Sequence, residues 1–335
     1  MPSNAVNWFR RLVSGFLVLA GLYALACAWF QLSHPQPVLG AASSTAFAPA
    51  WPQGFLWGTA TAAHQVEGDN AHNDWARFER QPGKIAHGDT SGAAAGHWDK
   101  VAEDIALMRA LGANSYRFSI EWSRLEPAEG VWDEAAWQHY VDEVAQLKAA
   151  GVEPVVTLLH FTFPAWLADR GGATAPDFPE RFGRFAVEAA RRLGPQVRWW
   201  CTVNEPQVQM YQGYVAGIWP PGVKDNALAV KAFEGLLRAH GRAALALRQG
   251  DADAQIGVAS NMIVFEPSNR WNLLEHIVAN MVSNGFNWSF NESIDKGQLL
   301  FSMPGFPALD QPAPELKGPI DWVGIHYYRP NLVTF

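Results

Sequence analysis

VRWWCTVNEP (197–206) is an aromatic and β-branched run that stops abruptly at Asn204, Glu205 and Pro206. A strand of this composition is buried on both faces, as parallel strands covered by helices are, and its polar residues stand at its C-terminal end. The same design recurs on either side of it, in FLWGTAT (55–61), SYRFSI (115–120), PVVTLLH (154–160), IGVASNMIV (256–264) and DWVGIHYY (321–328). Between these runs the apolar spacing changes to that of helices. Val101, Ile105 and Met108 form one face, Trp137, Val141 and Val144 with Leu147 or Lys148 a second, and Phe182, Phe185, Ala189 and Leu193 a third. A longer helix, about Leu228 to Leu247, carries Phe233, Leu237, His240 and Ala244 on one side.

Strands alternating with helices imply parallel strands joined by crossover helices, in either a doubly wound sheet or a TIM barrel. Groups suited to binding hydroxyls follow four of the runs: Gln65, His160, Asn204 with Glu205, and Tyr327 with Tyr328. A barrel collects all its strand ends around one pocket and brings such distant positions together. No Gly-rich phosphate loop follows the first strand, which removes the main support for a doubly wound nucleotide site. The expected fold class is α/β, a TIM (β/α)8 barrel with about six of its eight strand–helix units written in this sequence.

Of the 335 residues, 49% are hydrophobic and 17% charged, and the net charge of −7 contains no basic block. That composition supports a folded core and no nucleic-acid partner. Cys27 and Cys201 make neither a disulfide framework nor a zinc site. The 16 tryptophans suit a large core, and also a cleft that stacks flat rings against sugar C–H faces. Residues 12–32 read as a transmembrane signal anchor, with Arg10 and Arg11 just before it holding residues 1–11 in the cytoplasm. A cleaved signal peptide is the alternative, with small residues at Ala24, Ala26 and Ala28. Either reading puts the globular part, residues 54–335, outside the cytoplasm, after a Pro-, Ala- and Ser-rich linker over 33–53.

TVNEP (202–206), with WWC before it and GYVAGIWPPG (213–222) after it, resembles the acid/base segment of glycoside hydrolase family 1. FLWGTATAAHQVEG (55–68), DIALMRALGANSYRFSIEWSR (104–124) and DWVGIHYY (321–328) resemble further motifs of that family, in family order. The resemblance implies a retaining β-glycosidase, β-glucosidase-like, which acts on a β-glycoside through two carboxyl groups and needs no metal or organic cofactor. Residue by residue it implies Glu205 as the catalytic acid/base and Asn204 as donor to the sugar 2-hydroxyl. Gln65, His160 and Phe161 then contact substrate, while Arg117 and Tyr328 position the nucleophile, Tyr328 also facing the sugar. Phe161 stands where many members have Trp, and His326 where Asn is usual. Arg117, inside an apolar strand, is expected to meet a carboxylate. Glu67 and Glu121 read as either supporting or ion-paired groups, and Glu266 is not expected to serve as nucleophile.

The family's nucleophile lies in a TENG-like motif, and no such motif occurs in this sequence. The expectation is a C-terminally truncated sequence of an active parent, whose first and sixth strands expose unpaired edges when isolated. Two other functions fit less well: a transglycosylase acting on membrane glycolipids, and an inactive sugar-binding remnant. The sequence leaves the oligomeric state open.

Overall fold

The computed structural model describes residues 3–34, 51–317 and 320–334. It divides into two compact units, one of Met1–Pro52, Ile263–Asn284 and Tyr328–Phe335, the other of Gln53–Met262 and Gly285–Tyr327.

In the first unit, α1 (Ser3–Ser33) carries a stretch, Asn7–Ser33, that is long and apolar enough to cross a bilayer by length and composition; a signal sequence meets the same criterion. The helix begins nine residues before the expected span, so Arg10 and Arg11 lie on it rather than ahead of it. Its far end meets the segment around helix Leu273–Ser283. There the Tyr23 hydroxyl donates to Asn272 Oδ1 at 2.5 Å, and Arg270 Nε donates to Gln31 Oε1 at 2.9 Å. Phe265–Pro267 and Asn331–Val333 form a small parallel pair. Of the expected linker over 33–53, residues 35–50 lie outside the described residues.

The second unit holds the six strands that the sequence pattern marks: β1 (Gly58–Ala60), β2 (Ser115–Ser119), β3 (Glu153–Leu159), β4 (Trp199–Asn204), β5 (Gln255–Asn261) and β6 (Trp322–His326). They pair in chain order, all parallel, as a curled half-barrel with β1 and β6 at its two ends among the described residues. The helices α2 (His97–Ala110), α3 (Glu134–Ala149), α4 (Phe178–Leu193) and α5 (Asn226–Gly250) cover its outer face. Their apolar faces are those the spacing indicates. Phe182, Phe185, Ala189 and Leu193 on α4 and Phe233 and Leu237 on α5 are wholly buried, and Lys148 leaves the α3 face to pair with Glu153. Asp133 and Asp225 start α3 and α5 by accepting hydrogen bonds from the first-turn amides of Ala136 and of Ala227 and Leu228. Helix α5 approaches the loop before α4 so closely that a Cβ at Gly235 would stand 2.0 Å from the Ala173 carbonyl oxygen.

Val323 and Ile325 of β6 are 45% and 66% exposed, although their residue types belong to a covered strand. One feature had no sequence signal: Gln298–Phe301 and Leu309–Pro312 form an antiparallel hairpin, each strand too short to show a period.

Candidate active site

Asn204 and Glu205 are adjacent, and in a regular strand adjacent side chains face opposite sides of the sheet. On β4, Thr202 points outward, where its hydroxyl meets His240 Nδ1 of α5 at 2.7 Å, while Cys201 points inward to Arg117. Strict alternation would turn Asn204 outward like Thr202. The register instead shifts between Cys201 and Asn204: Cys201 pairs with Gly257 and Asn204 with Ala259, so three steps on β4 match two on β5. This extra residue is a β-bulge, and it re-aims Asn204 into the barrel. Glu205 then takes a left-handed backbone conformation, φ 45° and ψ 57°, with its amide donating to the Ala259 carbonyl at 2.7 Å. A non-glycine residue held there stores strain of order 1–3 kcal/mol, and such strain gathers at functional positions. Phe161, just past β3, is a second such residue, at φ 71°.

The inward side chains join into a bonded chain. Arg117 on β2 donates through Nη2 to Asn204 Oδ1 at 2.6 Å and through Nε to Thr157 Oγ1 at 3.0 Å, and its Nη1 lies 3.1 Å from His326 Nε2. The other ring nitrogen of His326, Nδ1, lies 2.6 Å from Glu205 Oε1, which also accepts from Asn261 Nδ2 at 3.3 Å. Glu205 is buried, and among the described residues its Oε2 takes no hydrogen bond. Arg117 departs from expectation, because among the described residues it pairs with no carboxylate. Neutral oxygen, nitrogen and sulfur acceptors satisfy its half-buried guanidinium instead.

Beside this chain lies a cavity of about 380 Å³ whose lining includes Gln65, His160, Phe161, Trp75 and Trp219. That size suits one small organic ligand. Phe161 and Trp75 both pack edgewise against Trp219, with ring centroids 4.8 and 5.3 Å away. Burial first, and then the positive charge of Arg117, push the His160 imidazole down to about 3, so it is neutral at any ordinary pH. Its buried Nδ1 meets no partner among the described residues, a polar atom suited to a ligand hydroxyl.

The groups around the site were partly legible. Glu67 is ion-paired as expected: Arg124 Nε is 3.3 Å away, Tyr140 and Asn70 donate to it, and burial raises its carboxyl to about 7. Glu121 takes the supporting role, accepting from the hydroxyls of Ser123 at 2.6 Å and Thr162 at 3.0 Å, which fixes the turn carrying Phe161. Glu266 is exposed and belongs to the other unit. Tyr328, 76% exposed, also falls in that unit, just beyond the end of β6. Sequence reading missed Asn261, Gln207 and Gln209. The two glutamines donate to the carbonyls of Asn261 and Phe161 at 3.3 Å each and tie the β5 and β3 ends to the turn after Glu205. The only signal for Asn261 was its place at the end of a strand.

Parallel strands bring a strained, buried carboxyl, an amide and an unpaired imidazole to one end, beside an aromatic cavity, which is where a TIM-barrel enzyme places its active site. Residues 48–334 match the family model for glycosyl hydrolase family 1, and the chain belongs to that family. It is 33% identical over 299 residues to beta-glucosidase A of Thermotoga maritima, a match covering 85% of this chain and 67% of that one. Thermostable beta-glucosidase B of Thermobispora bispora is 35% identical over 303 residues, covering 86% and 62%. Among solved structures, the beta-glucosidase from Thermotoga maritima in complex with castanospermine superposes with a TM-score of 0.78 at 30% identity, covering 85% of this chain and 67% of that one. The chain thus spans about two thirds of the length of these relatives.

Proposed function

We propose that the protein is a retaining β-glycosidase of β-glucosidase type, held at a membrane by α1, with Glu205 as its acid/base. The observation that carries this reading is the bulge at the end of β4, which turns Asn204 and Glu205 together into the barrel. Glu205 protonates the leaving oxygen of a terminal β-linked sugar and later takes a proton from the incoming water. Because Asn204 Oδ1 is occupied by Arg117, its amide N–H groups are left to donate to the sugar 2-hydroxyl, a contact that strengthens in the transition state. Gln65 and the neutral His160 bind the remaining hydroxyls, and Phe161 packs on the ring. Arg117 and Tyr328 position the attacking carboxylate, a role this reading assigns to no residue of the present sequence, which lacks a TENG-like motif. The beta-glucosidase relatives support a glucoside substrate.

Glu205→Ala in the intact protein tests this. The expected loss is about 10²–10⁴-fold in kcat/KM on alkyl β-glucosides, with far less loss on a dinitrophenyl glucoside, whose leaving group needs no proton. Azide should restore turnover with release of a β-glycosyl azide. Equal losses on both substrates, or none, refute the role.

A further inference from the structure

His326 stands between Arg117 and Glu205, and its two ring nitrogens are not equivalent there. A guanidinium has only donors and keeps its charge at any accessible pH, so the nitrogen 3.1 Å from Arg117 Nη1, His326 Nε2, must be the acceptor. The ring proton is thereby placed on Nδ1, which faces Glu205 Oε1 at 2.6 Å. A second ring proton would set an N–H against the Arg117 N–H and a cation against a cation. The other groups near this ring do not reverse the assignment. His160, past β3, is neutral; Cys201 on β4 already accepts from Arg117 Nη2 at 3.5 Å; Asn261 on β5 donates to the same Glu205 Oε1 at 3.3 Å.

We infer that His326 is a positioning residue, a neutral Nδ1–H imidazole locked by Arg117, which reserves Oε1 of Glu205 as a permanent acceptor and confines the transferable proton to Oε2. The bond suits both states of the carboxyl. When Glu205 is an acid, Oε1 is its carbonyl oxygen, and when it is ionised, Oε1 is a carboxylate oxygen; each accepts from Nδ1–H. Delivery and retrieval of the proton then require no rearrangement of the ring. Two donors converge on Oε1, from His326 and Asn261, and none among the described residues on Oε2.

This inference rests on Glu205 being the acid/base, and two measurements on the intact protein separate the two claims. In ¹⁵N-histidine NMR at neutral pH, with the signal assigned by its loss in His326→Asn, a pyrrole-like Nδ1 and a pyridine-like Nε2 are expected. An Nε2–H tautomer or an imidazolium overturns the inference whatever the enzyme's activity. In kinetics, His326→Ala should lower kcat/KM about 10–100-fold on alkyl glucosides, the range seen when a supporting hydrogen-bond partner of a reactive group is removed. It should leave dinitrophenyl glucoside turnover nearly intact, and His326→Asn, which keeps a donor, should recover part of the loss. Equal effects on the two substrates, or no effect, overturn the positioning role. If Glu205→Ala itself shows no leaving-group dependence, the assignment of Glu205 fails while the tautomer result stands by itself.

Discussion

His240 on α5 is wholly buried behind β4, with Nδ1 on the Thr202 hydroxyl and no partner for Nε2 among the described residues. Burial alone pushes its imidazole down from an ordinary 6.5 to about 4. The unfolded chain therefore takes up this proton first as the pH falls, and the stability lost begins near the unfolded value and levels off below the folded one. Between about pH 8 and about pH 5 the loss attached to this one group is on the order of 2 kcal/mol, approaching about 3 kcal/mol in the acid limit. His240→Gln has a similar volume, can still bond Thr202, and does not titrate. Urea unfolding of wild type and variant at the two pH values, followed by tryptophan fluorescence, isolates the effect, because every other titrating group, His160 included, cancels in the difference. The wild type should lose about 2 kcal/mol more than the variant on acidification. Parallel losses within about 0.5 kcal/mol would show that the buried ring carries its proton at little cost, and would refute the argument from desolvation.

Glu67 titrates with the opposite sign. Burial raises its carboxyl from 4.5 to about 7, so its contribution is fully present below 4.5 and is lost as the pH climbs to about 7. Glu67→Gln should flatten the alkaline fall in stability by on the order of 2–3 kcal/mol in the same unfolding assay. Gly235→Ala would force a Cβ to within 2.0 Å of the Ala173 carbonyl oxygen, a backbone atom with no room to move. A loss of about 1–3 kcal/mol or more is expected, read as a lower Tm, and an unchanged Tm would mean that α5 slides freely on that loop. For α1, intact mass and carbonate extraction should find the protein in the membrane fraction with residues 1–33 retained; a mature N-terminus near Ala28 would make the helix a signal sequence instead.

The strand–helix order and the buried helix faces were legible because they rest on periodicity, and periodicity survives in a single sequence. Phe182, Phe185, Ala189 and Leu193 lie on one face by arithmetic alone, and the fold buries that face completely. The site was legible only as residue types at strand ends. Its geometry depends on a bulge, which inserts one residue into a ladder and has no composition of its own. Read as a regular strand, CTVNE would send Cys201, Val203 and Glu205 one way and Thr202 and Asn204 the other. The register shift breaks that rule between Cys201 and Asn204, and the left-handed turn at Glu205 breaks it again. For the same reason the neutral partners that Arg117 has among the described residues were not foreseen. An unpaired guanidinium in an apolar strand argues for a carboxylate, yet once Asn204 turns inward its amide oxygen fills that place at 2.6 Å, with His326 accepting beside it.

That substitution of partners bears on how the site is charged. Arg117 sits among neutral acceptors, so its positive charge is not cancelled locally, and it adds to the burial that holds His160 neutral. A carboxylate brought against Arg117 would remove part of that field, while the five-donor fork still leaves an Nη1 proton for His326 Nε2. Arg117→Lys separates these roles. An ammonium is a point charge without the planar fork and cannot hold Asn204 and His326 together, so the charge persists while the locked tautomer is lost. The His160 ring should stay neutral at pH 5 in that variant, and the His326 signal should move toward a mixture of tautomers. If both rings instead behave as in the wild type, the guanidinium geometry is not what orders the site.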